Sequence, residues 1–108
     1  MNTQKNQYAL FSTDPVEYNK KDLKAKLAIT LIQLIRAKGW NQSVASEALK
    51  VTQPRVSNLM RGKIDRFSVD SLMEMMFRAG YSFEYQFGFH GDDKSEPHLE
   101  MKLKKAML

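Results

Sequence analysis

The sequence predicts a small, mainly helical domain of four to five helices, closed by one β-strand that pairs across a dimer. Three observations predict it. From Asp14 to Ala79 apolar residues recur at helical spacing, interrupted by capping residues and glycines. From Tyr81 to Phe89 the period changes to two. The only other strand-like stretch is the short patch Tyr8–Phe11, so the strand lacks an obvious partner in its own chain.

The elements follow in order. Residues 1–13 read as an N-terminal arm, with Tyr8–Phe11 able to pack on the core. Asp14-Pro15-Val16-Glu17 is a helix start, with Asp at the N-cap, Pro at N1 and Glu at N3. The helix runs towards Lys38, with a break allowed near Asn19. Leu23, Leu27, Leu31, Leu34 and Ile35 form its inward stripe. Gly39 ends it, and Trp40 covers the core beside the next segment.

Residues 41–62 carry the strongest signal. Asn41 caps a helix from Gln42 to Leu49, with Ala45, Ala48 and Leu49 inward. Lys50 and Val51 make a turn, and Thr52 caps the next helix. Pro54 lies in its first turn, where a missing N–H costs nothing. Val56, Leu59 and Met60 share one buried stripe. The opposite face holds Gln53, Pro54, Ser57, Asn58 and Arg61, and Gly62 stops the helix. Two short helices about a tight turn are the pattern of a helix-turn-helix, whose second helix is shaped for the DNA major groove. The bland alternative is a helical hairpin with a solvated polar face. Against it, no acid falls between Lys50 and Ile64, while Lys50, Arg55, Arg61, Lys63 and Arg66 flank the helix. Amide, hydroxyl and guanidinium groups are also the types that bond base edges and phosphates.

Ile64 and Phe67 read as core plugs. Ser68 caps a fourth helix to Ala79, with Leu72, Met73, Met76 and Phe77 inward and its methionines as core filler. Tyr81, Phe83, Tyr85, Phe87 and Phe89 then form the aromatic face of the strand. Pairing with the same strand of a second copy is the favoured reading, and pairing with Tyr8–Phe11 the alternative. The domain thus spans residues 14–89. Residues 90–108 read as a tail or short helix, with Leu99, Leu103, Ala106 and Met107 on one helical face. That segment could fray, cover the core or fold on a protein partner.

Composition bounds the function. One hundred and eight residues, 43% hydrophobic, suffice for one small domain that dimerisation would help stabilise. The absence of cysteine fits a reducing cytoplasm. The longest apolar stretch, within Leu27–Ile35, is too short to span a bilayer, and the first ten residues lack a signal-peptide core. The net charge of +5 is uneven: residues 20–66 sum to +8, eleven bases against Asp22, Glu47 and Asp65. Positive charge on the motif segment suits a polyanion. Lys20, Lys21, Lys24 and Lys26 could serve solubility alone. His90 and His98 have no cysteine or clustered carboxylates near them, so no metal is expected. Neither a glycine-rich phosphate loop nor a nucleophile–histidine spacing is present. The expectation is a protein without enzymatic activity or cofactor.

Residues 41–62 resemble the helix-turn-helix of the Cro/cI-type phage repressors, also called the xenobiotic-response-element superfamily, whose fold is a lambda-repressor-like DNA-binding domain. The resemblance spans roughly residues 8–89. Its most specific part, Thr52–Leu72 (TQPRVSNLMRGKIDRFSVDSL), is similar to small regulators that include HigA-like antitoxins. Two positions depart from the superfamily pattern: Lys50 stands where glycine is usual, and Ser46 where alanine is usual. A non-glycine residue at positive φ is uncommon but allowed. The resemblance implies a cytoplasmic repressor, an antitoxin of a toxin–antitoxin pair that regulates its own operon, with a RelE/HigB-type mRNA-cleaving toxin as partner. Two alternatives stay open. One is a protein-interaction module that mainly holds a toxin; the other is a plain phage-type repressor. On either DNA-binding reading, Gln53, Ser57, Asn58 and Arg61 face base edges, with Pro54 against a thymine methyl. Gln42, Thr52, Arg55 and Lys63 are the expected phosphate contacts.

Overall fold

The computed structural model describes residues 14–88 and 96–106. Helix α1 (Pro15–Ala37) starts where the sequence predicts. The Asp14 carboxylate accepts from the N–H groups of Val16 at 3.0 Å and Glu17 at 3.4 Å. The helix passes Asn19 without a break, and the Asn19 side-chain amide donates to the Pro15 carbonyl one turn back. Leu27, Ala28, Leu31, Leu34 and Ile35 are its buried residues. Leu23 lies on the same stripe but is exposed, because the core begins one turn later at Leu27.

Helices α2 (Gln42–Leu49) and α3 (Gln53–Met60) pack beside one another under α1. A single 3₁₀ turn at Ile64–Arg66 leads to Phe67, which is buried in the centre of the core, while Ile64 is half-buried at its edge. Helix α4 (Val69–Arg78) opens on a reciprocal cap: the Ser68 hydroxyl accepts from the Ser71 N–H, and the Ser68 N–H donates to the Ser71 hydroxyl. Its inward stripe is Leu72, Met75 and Met76. Phe77, expected inward, is 47% exposed and Met75 takes its place. One residue of helix turns a side chain by about 100°, and the stripe through Leu72 and Met76 continues to Ala79, leaving Phe77 at its margin.

The core joining these helices is apolar throughout. Leu31, Ile35, Leu49, Val56, Leu59, Phe67, Leu72 and Met76 are its largest fully buried side chains. Among the described residues no polar side chain is buried. Trp40, Met60, Met73, Phe83 and Leu103 pack around the rim.

Strand β1 (Tyr81–Gly88) pairs antiparallel with β2 (His98–Lys105), in the register Phe83 opposite Leu103, Tyr85 opposite Met101 and Phe87 opposite Leu99. Among the described residues the fold is therefore mainly helical, with four α-helices and a two-stranded hairpin. Two expectations change here. Residues 98–105 form a strand, where the spacing suggested a tail or short helix. One edge of β1 is accordingly filled from its own chain rather than by a second copy. The ambiguity is physical: Leu99 and Leu103 satisfy a helical period, and Leu99, Met101 and Leu103 satisfy a strand period equally well. The pairing partner decides between them. Phe89 and the Tyr8–Phe11 patch lie outside the described residues.

Candidate nucleic-acid interface

The site is assembled by two caps and one turn. The Asn41 side chain accepts from the Val44 N–H at 2.8 Å and starts α2. Lys50 ends α2 in the left-handed conformation, φ 55° and ψ 47°. For a residue with a side chain this conformation costs roughly 1–2 kcal/mol. Both departures from the superfamily pattern meet at this turn. The Ser46 hydroxyl donates to the Val51 carbonyl, while the Val51 N–H donates back to the Ser46 carbonyl at 3.1 Å. An alanine at 46 could not make the first of these bonds. The Thr52 hydroxyl then accepts from the Arg55 N–H at 3.3 Å and starts α3.

α3 presents the two faces its spacing implies. Val56 and Leu59 are buried against the core. Gln53, Pro54 and Arg61 are exposed, and Ser57 and Asn58 are half-buried beside them. These five residues share one side of the helix. The helix ends at Arg61 and Gly62, the latter at φ 74°, and the Lys63 N–H closes the turn on the Asn58 carbonyl at 2.9 Å. Gln42 stands exposed at the first position of α2. Thr52 is exposed with its hydroxyl engaged as a cap, and Lys63 is half-buried at the foot of the 3₁₀ turn.

Arg55 differs from the other basic residues. Its guanidinium lies 4.4 Å from the centre of the Phe67 ring, and Nη1 donates to the Arg66 carbonyl at 3.4 Å. It clamps α3 to the 3₁₀ turn across eleven residues of sequence. No spacing rule pairs positions 55, 66 and 67, so this role was invisible before folding. The Ser46–Val51 bond is likewise beyond any spacing rule, although the residue itself stands out as a departure from the pattern.

On α1, two of the four clustered lysines pair with acids one turn earlier, Lys21 with Glu17 at 3.5 Å and Lys26 with Asp22 at 2.8 Å. Exposed pairs of this kind contribute little to stability. Lys50, Arg61, Lys63 and Arg66 stand around the turn and the end of α3. Among the described residues no group of histidine, cysteine and carboxylate side chains is arranged to hold a metal ion. Among them, too, no helix is long and apolar enough to cross a membrane.

A short helix, a left-handed turn and a second helix with one buried and one polar face define a helix-turn-helix unit. Comparison with known families agrees: residues 11–86 match the helix-turn-helix domain family, and the chain belongs to it. Membership makes the chain a DNA-binding regulator in kind. No curated protein matches the chain.

Proposed function

We propose that the protein is a sequence-specific repressor that binds operator DNA as a twofold dimer, with α3 in the major groove. The observation that carries this reading is the exposed side of α3, amide, hydroxyl and guanidinium groups over an apolar core, flanked by bases and free of acids from Lys50 to Ile64. Gln53, Ser57 and Asn58 read base edges, Pro54 touches a thymine methyl, and Arg61 reaches a guanine or a phosphate. Gln42, Thr52, Arg55 and Lys63 hold the phosphate backbone. Twofold symmetry then sets inverted half-sites about one helical turn apart, roughly 34 Å centre to centre.

The similarity of Thr52–Leu72 to HigA-like regulators supports a finer reading within the xenobiotic-response-element superfamily: a cytoplasmic antitoxin that represses its own operon and holds a RelE/HigB-type toxin. A second reading, a module whose main task is to hold that toxin, draws on the exposed apolar face of the hairpin.

Titration of the protein into duplex DNA at increasing salt tests the DNA reading. Each phosphate contact should contribute a slope of about −0.9 in log K against log salt. An affinity unchanged between low and moderate salt would reject it. Loss of mRNA cleavage by a co-expressed toxin on mixing would support the antitoxin role, and operator binding without any such neutralisation would favour the plain repressor.

A further inference from the structure

The hairpin has one face that is apolar from the Phe83–Leu103 pair outward, with Tyr81 and Lys105 at its inner end, and one polar face. Paired residues share a side, so Phe83, Tyr85 and Phe87 of β1 stand beside Leu103, Met101 and Leu99 of β2. The other side carries Ser82, Glu84 and Gln86 against Lys104, Lys102 and Glu100, with Lys104 paired to Glu84 at 3.2 Å. The inner end of the apolar face is anchored. Phe83 and Leu103 pack on the core, and Phe83 meets Phe77 edge to face at 6.0 Å. The outer end is not covered: Phe87 is 69% exposed, Tyr85 58%, Leu99 56% and Met101 47%.

An apolar face with this alternation is the face of a sheet that packs on something. With about 150–250 Å² per large side chain, these four residues and Phe77 leave roughly 500 Å² of apolar surface in one stripe. That is near the upper limit of what a monomer ordinarily exposes. Two such stripes facing each other bury roughly 1,000 Å², the threshold for a specific interface. The outer part of the stripe, from Phe83 and Leu103 to Phe87 and Leu99, carries no charged side chain, and its polar reverse keeps the other side of the hairpin in water.

We infer that a second copy of the chain docks on this face, the two hairpins stacking face to face about a twofold axis with Phe87 and Leu99 at the centre. The inference rests on the proposed dimeric DNA-binding function and adds the surface that builds the dimer. It differs from edge-to-edge pairing of two β1 strands, because side chains of both strands meet across the axis and no ladder hydrogen bond crosses it. The contact extends the helical core outward: Phe77, Phe83 and Tyr85 form one line of rings from α4 to the seam.

Sedimentation of the full chain tests it. The wild type should be a dimer at micromolar concentration. The Phe87→Glu, Leu99→Glu double variant should weaken the dimer by more than about 30-fold, as for removal of two central apolar anchors, with an unchanged helical circular dichroism spectrum. Gln86→Glu, on the polar face, should remain dimeric. The chain contains no cysteine, so single cysteines report geometry directly. Leu99→Cys should oxidise to a covalent dimer and Gln86→Cys should not. A monomeric wild type, a double variant that still dimerises, or crosslinking through position 86 in preference to 99 would each overturn the inference. So would a chain that stays monomeric until a toxin is added. The functional reading fails separately: the monomeric variant should still bind a single half-site at low salt. A wild-type dimer that binds no duplex would reject DNA recognition while leaving the interface intact.

Discussion

The helical part and the hairpin follow opposite rules. In residues 15–78 the large apolar side chains of four short segments meet in one closed core without a buried polar group among the described residues. In β1 and β2 the same kind of side chain lies on a two-stranded sheet whose inner end is covered and whose outer end is exposed among the described residues. A two-stranded hairpin is marginal alone and gains stability from what it packs on. The contrast separates the two tasks. On the proposed function the helices would build the DNA-reading surface within one chain, and the hairpin would supply the surface for a second copy.

The sharpest way to break this comparison is to truncate one residue from each region. Leu72→Ala in the closed core should destabilise by about 2–5 kcal/mol in denaturant unfolding. Leu99→Ala, measured in a Phe87→Glu background at a concentration where that variant is monomeric, should stay within about 0.5 kcal/mol. Equal losses at both sites would mean the hairpin face is covered within the chain.

Next in size are the DNA-facing residues. Asn58→Ala and Gln53→Ala should each relax preference at particular base pairs by about 1–3 kcal/mol, read from binding to single-substituted operators. Lys63→Ala should weaken all sequences alike and reduce the salt slope by about 1. An Asn58→Ala protein with unaltered sequence preference would show that α3 lies in the groove in another orientation.

Arg55 sharpens the comparison within the helical part. Loss of its ring contact and carbonyl bond in Arg55→Ala should cost about 1 kcal/mol of stability, and lysine, lacking the planar fork, should not restore it. A lower salt slope at unchanged stability would assign Arg55 to the phosphates alone. Lys50→Gly should act in the opposite direction, raising the unfolding free energy by less than about 1 kcal/mol, because relief of the left-handed strain exceeds glycine's extra backbone entropy. Smallest of all, Lys104→Ala on the polar face of the hairpin should change stability by less than about 0.5 kcal/mol.

What could be read from the sequence was what local chemistry decides. Asp14, Asn41, Thr52 and Ser68 were legible as caps because the residue types that satisfy free helix N–H groups are few, and each structure-defined helix begins beside one of them. Lys50 was legible as a strained turn residue because it stands where the resembled superfamily has glycine. The polar face of α3 followed from the spacing of Val56, Leu59 and Met60. Where distance in space decides, the reading stopped. β2 has two valid periods until β1 selects one. Leu23 obeys the helical stripe but falls before the core begins, and Phe77 sits at the margin of a stripe that runs on to Ala79. Arg55 looks like any other base until Phe67 comes under it.

The order of the elements along the chain has a consequence during synthesis. Everything α3 needs for its shape precedes Gly80, so the DNA-reading unit can fold while the chain is still being made. Strand β1 follows directly, but its partner ends only at Lys105. At the usual rate of about 5–20 residues per second, the aromatic strand leaves the ribosome a second or more ahead of the strand that pairs with it. During that interval its backbone edge and its rings are both open, next to other nascent copies on the same message. The polysome is then the place where dimers of this protein would first meet, and also where a strand-to-strand mistake would be made.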